Sequence, residues 1–187
     1  MTKLEIFNAA LAALANDRFL SSADSTFPEG VHCRREWDAA RKSVLSAAEW
    51  GWLVEQTPYC DSYDPSTGNT LIPRPADALR ILALVDENGR SLKATSANGA
   101  FRVSGQRMVA IRYLPDNDEP DTWPHYITDA VAKALASRIA IPFKRDSDLA
   151  QAVTIMAQRS LLAAVAIDSA ESRHSGTAGD KYARARR

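Results

Sequence analysis

The 187-residue chain is poor in the side chains that carry most enzyme and metal chemistry, with two cysteines and three histidines. Cys33 and Cys60 lack C-x-x-C spacing, and two thiols cannot build a disulfide framework, so a reducing compartment suits the chain. Adjacent His32 and Cys33 point in different directions on a helix, and neither Cys60 nor His125 supplies a second pair at zinc-ligand spacing. No metal site is therefore expected. Also missing are G-x-S-x-G, H-E-x-x-H and any phosphate-cradling glycine loop, so no enzyme and no cofactor are expected. An opposed pair of carboxylates stays open, because sequence does not show their separation. The acidic run Asp116-Asn117-Asp118-Glu119-Pro120-Asp121 begins like a calcium loop. It then places Asp121 where that loop needs glycine and Ile127 where it needs a bidentate acid, which excludes the ion.

Excess charge is missing too. Twenty-three basic residues balance 23 acidic ones, so no global field points to nucleic acid or a membrane as partner. Lys3 followed by the apolar stretch Leu4 to Ala15 imitates a secretory signal, but Glu5 and Asn8 interrupt it and the basic region is one lysine. No other stretch is expected to approach the roughly 20 apolar residues of a membrane span.

What is present is helical patterning at both ends. Trp123 to Ile141 is the strongest segment: Tyr126, Val131, Leu135 and Ile139 make an apolar stripe, and Ala132, Ala136 and Ala140 a narrow one beside it. Pro142 is expected to end that helix. The next helix begins at Ser147, should turn Leu149, Val153, Met156, Leu161 and Val165 inward, and should stop near Glu171 to Arg173. Small alanine faces let the two approach as a hairpin. At the other end, Leu4, Phe7, Leu11 and Leu14 mark a first helix that stops near Asn16-Asp17. After an irregular link, a second helix runs from about Pro28 to Glu49 with Val31, Trp37, Ala40, Val44 and Leu45 inside and Arg34, Arg35, Arg41 and Lys42 off that face, as solvated charge or as pairs across a ring interface.

Between these ends the period is that of strands. Trp52, Val54 and Gln56 alternate, TPYCDSYDPSTGN reads as a loop turning at Pro65 to Gly68, and Leu79, Ile81, Ala83 and Val85 alternate up to the hairpin signal Asn88-Gly89. Further strands are expected over residues 90–94, 100–103 and 108–113. The predicted class is α+β, with a helical frame (1–50 and 123–172) and one small antiparallel sheet inserted over 51–114. Residues 173–187 have no apolar period and are expected to form a flexible basic tail. There Lys181, Arg184, Arg186 and Arg187 stand against Asp180, a local charge of +3, with Tyr182 among them. Such a tail could grip phosphates or order itself on a protein surface, or serve only solubility.

Five pieces of sequence, in order, resemble the bacteriophage head–tail adaptor (connector) family that includes podovirus tail tubular protein A. They are Asn8 to Leu14; Cys33, Trp37, Asp38, Ala40 and Arg41; Leu45 to Trp50 running into Gly51-Trp52; Pro75-Ala76-Asp77-Ala78-Leu79-Arg80; and Trp123, Tyr126, Ala134-Leu135-Ala136 and Ile139-Ala140. The fourth, carried by Pro75, Asp77, Leu79 and Arg80, is similar to the family's Pro-x-Asp-x-Leu-Arg at the entry to its sheet. In physical terms Pro75 fixes an extended entry, Asp77 can bond nearby amides, and Leu79 starts an inward alternation. Several relatives have Phe-Ala in place of Gly51-Trp52, and family tails vary in length. The resemblance implies a non-enzymatic protein of the virion neck, assembled in the host cytoplasm as a dodecameric ring. It would join the portal protein to a nozzle or stopper protein, with DNA passing through the lumen. The tail residues Lys181, Tyr182, Arg184, Arg186 and Arg187 would insert against the portal. The other reading is a small nucleic-acid-binding accessory protein that uses the same tail.

Overall fold

The computed structural model describes residues 1–184 apart from Asp17 and Arg145, and side chains as far as Ser172 apart from those of Ala97 and Lys144. The fold is α+β, in two compact units: residues 1–51 with 117–187, and residues 52–116. These limits lie close to those of the expected helical frame and insert.

The first unit contains α1 (Lys3–Ala13), α2 (Pro28–Leu45), α3 (His125–Lys144) and α4 (Ser147–Arg184). A capping box starts α1: Thr2 accepts from the Glu5 amide while Glu5 accepts from the Thr2 amide. Its end is held by Asn16 N–H donating to the Leu11 carbonyl, which puts Ala15 in the left-handed region at φ 48°. At the end of α2, the buried indole of Trp50 donates to the carbonyls of Val44 and Leu45, so the helix stops before the expected Glu49.

Helix α3 is the centre of this unit and packs against α1, α2 and α4. Of the two stripes read from its sequence, Val131, Leu135, Ala136, Ile139 and Ala140 are inaccessible and Ala132 nearly so, while Tyr126 is half-buried. Pro142 does not end α3, which continues to Lys144 with the proline inside it. In a last turn the missing donor costs one bond, and carbonyls there lack helical partners in any case. Likewise α4 passes the expected stop near Glu171 to Arg173 and reaches Arg184. Extending an existing helix costs far less than starting one.

The second unit holds two antiparallel sheets where one was expected. In the first, β1 (Glu55–Gln56), β9 (Met108–Pro115), β5 (Ala78–Val85) and β6 (Ser91–Leu92) lie in that order, and β2 (Cys60–Asp61) also pairs with β9. In the second the order is β3 (Tyr63–Asp64), β4 (Asn69–Pro73), β8 (Ala100–Ser104) and β7 (Thr95–Ala97). One apolar cluster draws Ile72 and Val103 from the second sheet and Leu84, Val109, Ile111 and Tyr113 from the first. The expected loop over TPYCDSYDPSTGN contains β2 and β3, and its turn at Pro65 to Gly68 does join β3 to β4. The Asp64 carboxylate holds that turn by accepting from Ser66 and Thr67. A second Asn-Gly pair, Asn98-Gly99, has both φ angles positive and joins β7 to β8 as a tight hairpin.

Candidate functional site

The family-like motif begins at the entry to β5. Arg74 donates to the Ala78 carbonyl, and the Ala78 amide donates to the Pro75 carbonyl, making a turn before the strand. The Asp77 side chain does not make the expected bonds to nearby amides; its carboxylate accepts from the Tyr113 hydroxyl at 3.4 Å and its backbone carbonyl from the Asp116 amide at 2.7 Å. Glu55 shares that hydroxyl at 3.1 Å. Burial, with the Glu55 hydrogen bond, pushes the Tyr113 phenol up to about 12.

Leu79 does not begin the inward alternation either. The pairing of β5 with β9 shifts register between Ala78 and Arg80 and again between Ile81 and Ala83. Each bulge adds a residue, so the spacing on one face becomes three, and Ala78, Ile81 and Leu84 meet the core cluster. Leu79 is itself the extra residue of the first bulge and Leu82 that of the second, while Arg80 stands exposed opposite Leu114. The motif residues therefore build a strand entry. None of them lines either of the grooves beside α4 described below.

The acidic run Asp116 to Asp121 also serves the fold. Asp118 accepts from the Trp37 indole at 3.0 Å, and Asn117 accepts from the Trp123 indole at 3.0 Å. Trp37 and Trp123 stack 6.0 Å apart, and Phe7 meets Trp37 edge-on. Arg41, expected in solvent, is 3% exposed; it donates to the Asn117 carbonyl and lies 3.3 Å from Asp118. Arg34 is also tied down, donating to the carbonyls of Ala23 and Ser25. Among the described residues, no group of three or more His, Cys, Asp or Glu could hold a metal ion. Cys33 is fully buried, and desolvation assisted by Glu29 pushes its thiol up to about 12.

The largest departure from the sequence reading lies on α4. Its inward residues are Ala150, Val153, Ser160, Ala164 and Asp168, a narrow face of mainly small and polar groups. Asp168 accepts from the Tyr126 hydroxyl at 3.1 Å and from the Gly51 amide at 3.0 Å, and Ser160 donates to Asp129 at 2.7 Å. Of the expected inner residues, Val153 is buried and Met156 is exposed; Leu149, Leu161 and Val165 lie half-buried between. Hydrogen bonds to α3 explain the shift. With Ser160 bonded to Asp129 and Asp168 to Tyr126, the small and polar side of α4 is turned to α3, and its larger side chains are left to its flanks and outer side. Ile155, Met156, Leu162 and Ile167 are exposed, Leu162 to 70%, with Arg159 among them.

Two grooves flank this helix. One of about 340 Å³ lies between α3 and α4, lined by Tyr126, Asp129, Lys133, Met156, Arg159 and Ile167 among others. The other, about 310 Å³, is lined from α2, α3 and α4, with Val44, Arg138, Ala157 and Leu161. The segment Ser147–Ser172 is also long and apolar enough, by length and composition, to cross a membrane, contrary to the expectation for this chain. Alanines between larger apolar residues raise the average without any unbroken run. The tail side chains Lys181, Tyr182, Arg184, Arg186 and Arg187 lie outside the described residues. Neither the protein-family models nor the curated proteins contain a match to the chain.

Proposed function

We propose that the chain is a structural protein of a phage neck, a head–tail adaptor whose copies close into a dodecameric ring between the portal and the nozzle or stopper of the tail. It catalyses nothing in this reading. The ring encloses the DNA channel, and the protein resides in the virion after assembly in the host cytoplasm. The observation that carries the proposal is the uncovered apolar side of α4, where Ile155, Met156, Leu162 and Ile167 are exposed on one helix, as at surfaces that meet a partner. The order of the five sequence pieces supports the choice of partner. Balanced charge agrees with head-to-tail contacts between copies that must not repel one another.

Native mass spectrometry of the full chain mixed with assembled portal tests the proposal. A portal peak heavier by one dodecamer is expected. Separate portal and chain peaks at low salt and high concentration would overturn it and turn attention to DNA binding through the tail.

A further inference from the structure

Besides the face of α4, the helical unit exposes large apolar side chains on the link from Arg18 to Phe27 and the first turn of α2. Phe19 is 67% exposed and Phe27 56%, and Val31 follows one turn after Phe27. The link is fixed in place. Leu20 and Asn8 exchange two hydrogen bonds, Arg34 holds the carbonyls of Ala23 and Ser25, and Arg18 lies 5.5 Å from the Phe27 ring centre. Its aromatic rings are thus presented to solvent by a folded segment.

Each patch contains one charge with no ion pair among the described residues. On α4 it is Arg159, between Met156 and Leu162; on the link it is Asp24, between Phe19 and Phe27. Lys133, the other cation of the α3–α4 groove, is already bonded to Asp129 at 2.7 Å. The patches therefore match in apolar character and oppose in charge.

We propose that the α4 face of one copy receives the Phe19–Phe27 link of a second copy, with Asp24 meeting Arg159 and an aromatic ring of the link entering the α3–α4 groove. The inference rests on the ring reading above and names its interface. Within the ring the pairing runs one way and is heterologous: each added copy leaves one α4 face and one link free until the ring closes.

Charge reversal tests the pairing. Arg159→Asp, Asp24→Arg, the double variant and Leu162→Asp are compared with wild type by sedimentation velocity over a concentration series and by native mass spectrometry with assembled portal. Circular dichroism checks the fold of each. Each single reversal should raise the concentration needed for assembly about tenfold or more, and the double reversal should restore most of it. Leu162→Asp should abolish assembly. Dodecamers on the portal that ignore all four variants would overturn the interface and leave the adaptor reading standing. A wild-type chain that forms no oligomer, free or with portal, would overturn both. Wild-type binding to phosphatidylglycerol vesicles that is lost in Leu162→Asp, without self-association, would assign the face to lipid and overturn the inference.

Discussion

Arg41 donates from α2 to the backbone carbonyl of Asn117 at 2.7 Å, so a guanidinium almost closed to solvent fixes the chain just ahead of α3. Replacing it by alanine leaves that carbonyl without its donor and opens a space beside Trp37. Arg41→Ala should cost about 1.5–3 kcal/mol, as for a hydrogen bond to a charged group, and Arg41→Met less because it keeps the stem. Urea denaturation measures both, and an Arg41→Ala midpoint equal to that of wild type would show that the contact contributes nothing.

Ala15 ends α1 at φ 48°, a conformation that an L-residue with a Cβ resists. Ala15→Gly should therefore stabilise the chain by about 0.5–1 kcal/mol, the relief being larger than the added entropy of the unfolded glycine. Ala15→Val should destabilise it. Thermal melts of the two variants give the sign directly.

Asp129 faces burial that disfavours its charge, yet hydrogen bonds from Lys133 and Ser160 outweigh that and hold its pKa below the usual carboxylate value. A folded-state pKa below the unfolded one, about 3.9, gives stability that is present above that pH and fades as pH falls through the folded value. The stability gap between wild type and Asp129→Asn should accordingly be largest near neutrality and shrink on acidification. A gap that stayed constant with pH would mean that packing, not ionisation, sets it.

The two thiols should differ in reactivity. Cys33 is buried with its pKa pushed up to about 12, while Cys60 is partly accessible and bonded to the Ser62 hydroxyl. A thiol-specific chromogenic reagent at neutral pH should titrate one thiol in the folded chain and two in denaturant. Prompt reaction of both in the folded chain would contradict the burial of Cys33.

The tail prediction follows from the proposed partner. Deleting residues 174–187 should abolish portal attachment and leave the melting temperature unchanged, because among the described side chains no buried apolar one lies beyond Ala164. Portal binding by the truncated chain would remove the tail from the interface. If instead the full chain bound DNA with affinity falling steeply from low to moderate salt, the tail would be a phosphate contact.

Periodicity by itself determined the helical ends, the strand-rich middle and the central helix, because Val131, Leu135 and Ile139 at helical spacing have one way to be buried together. The Asn88-Gly89 hairpin was legible for a similar local reason: Gly89 has φ 75° and Asp86 bonds across the turn to Arg90. Local pattern did not reveal the two bulges of β5, since an extra residue leaves no mark in a run as apolar as Ala78 to Val85. Nor did it reveal that Arg41 is buried, because its partners lie at Asn117 and Asp118, far along the chain.

The face of α4 was decided only in three dimensions. A helix that is apolar on several sides has no unique inward stripe, and a period can be satisfied by more than one of them. The bonds of Ser160 to Asp129 and of Tyr126 to Asp168 chose the small and polar one, and thereby left Ile155, Leu162 and Ile167 facing outward. Sequence determined that α4 is a helix and that it is apolar; the hydrogen bonds that turned its small and polar side toward α3 determined which of its sides remained uncovered.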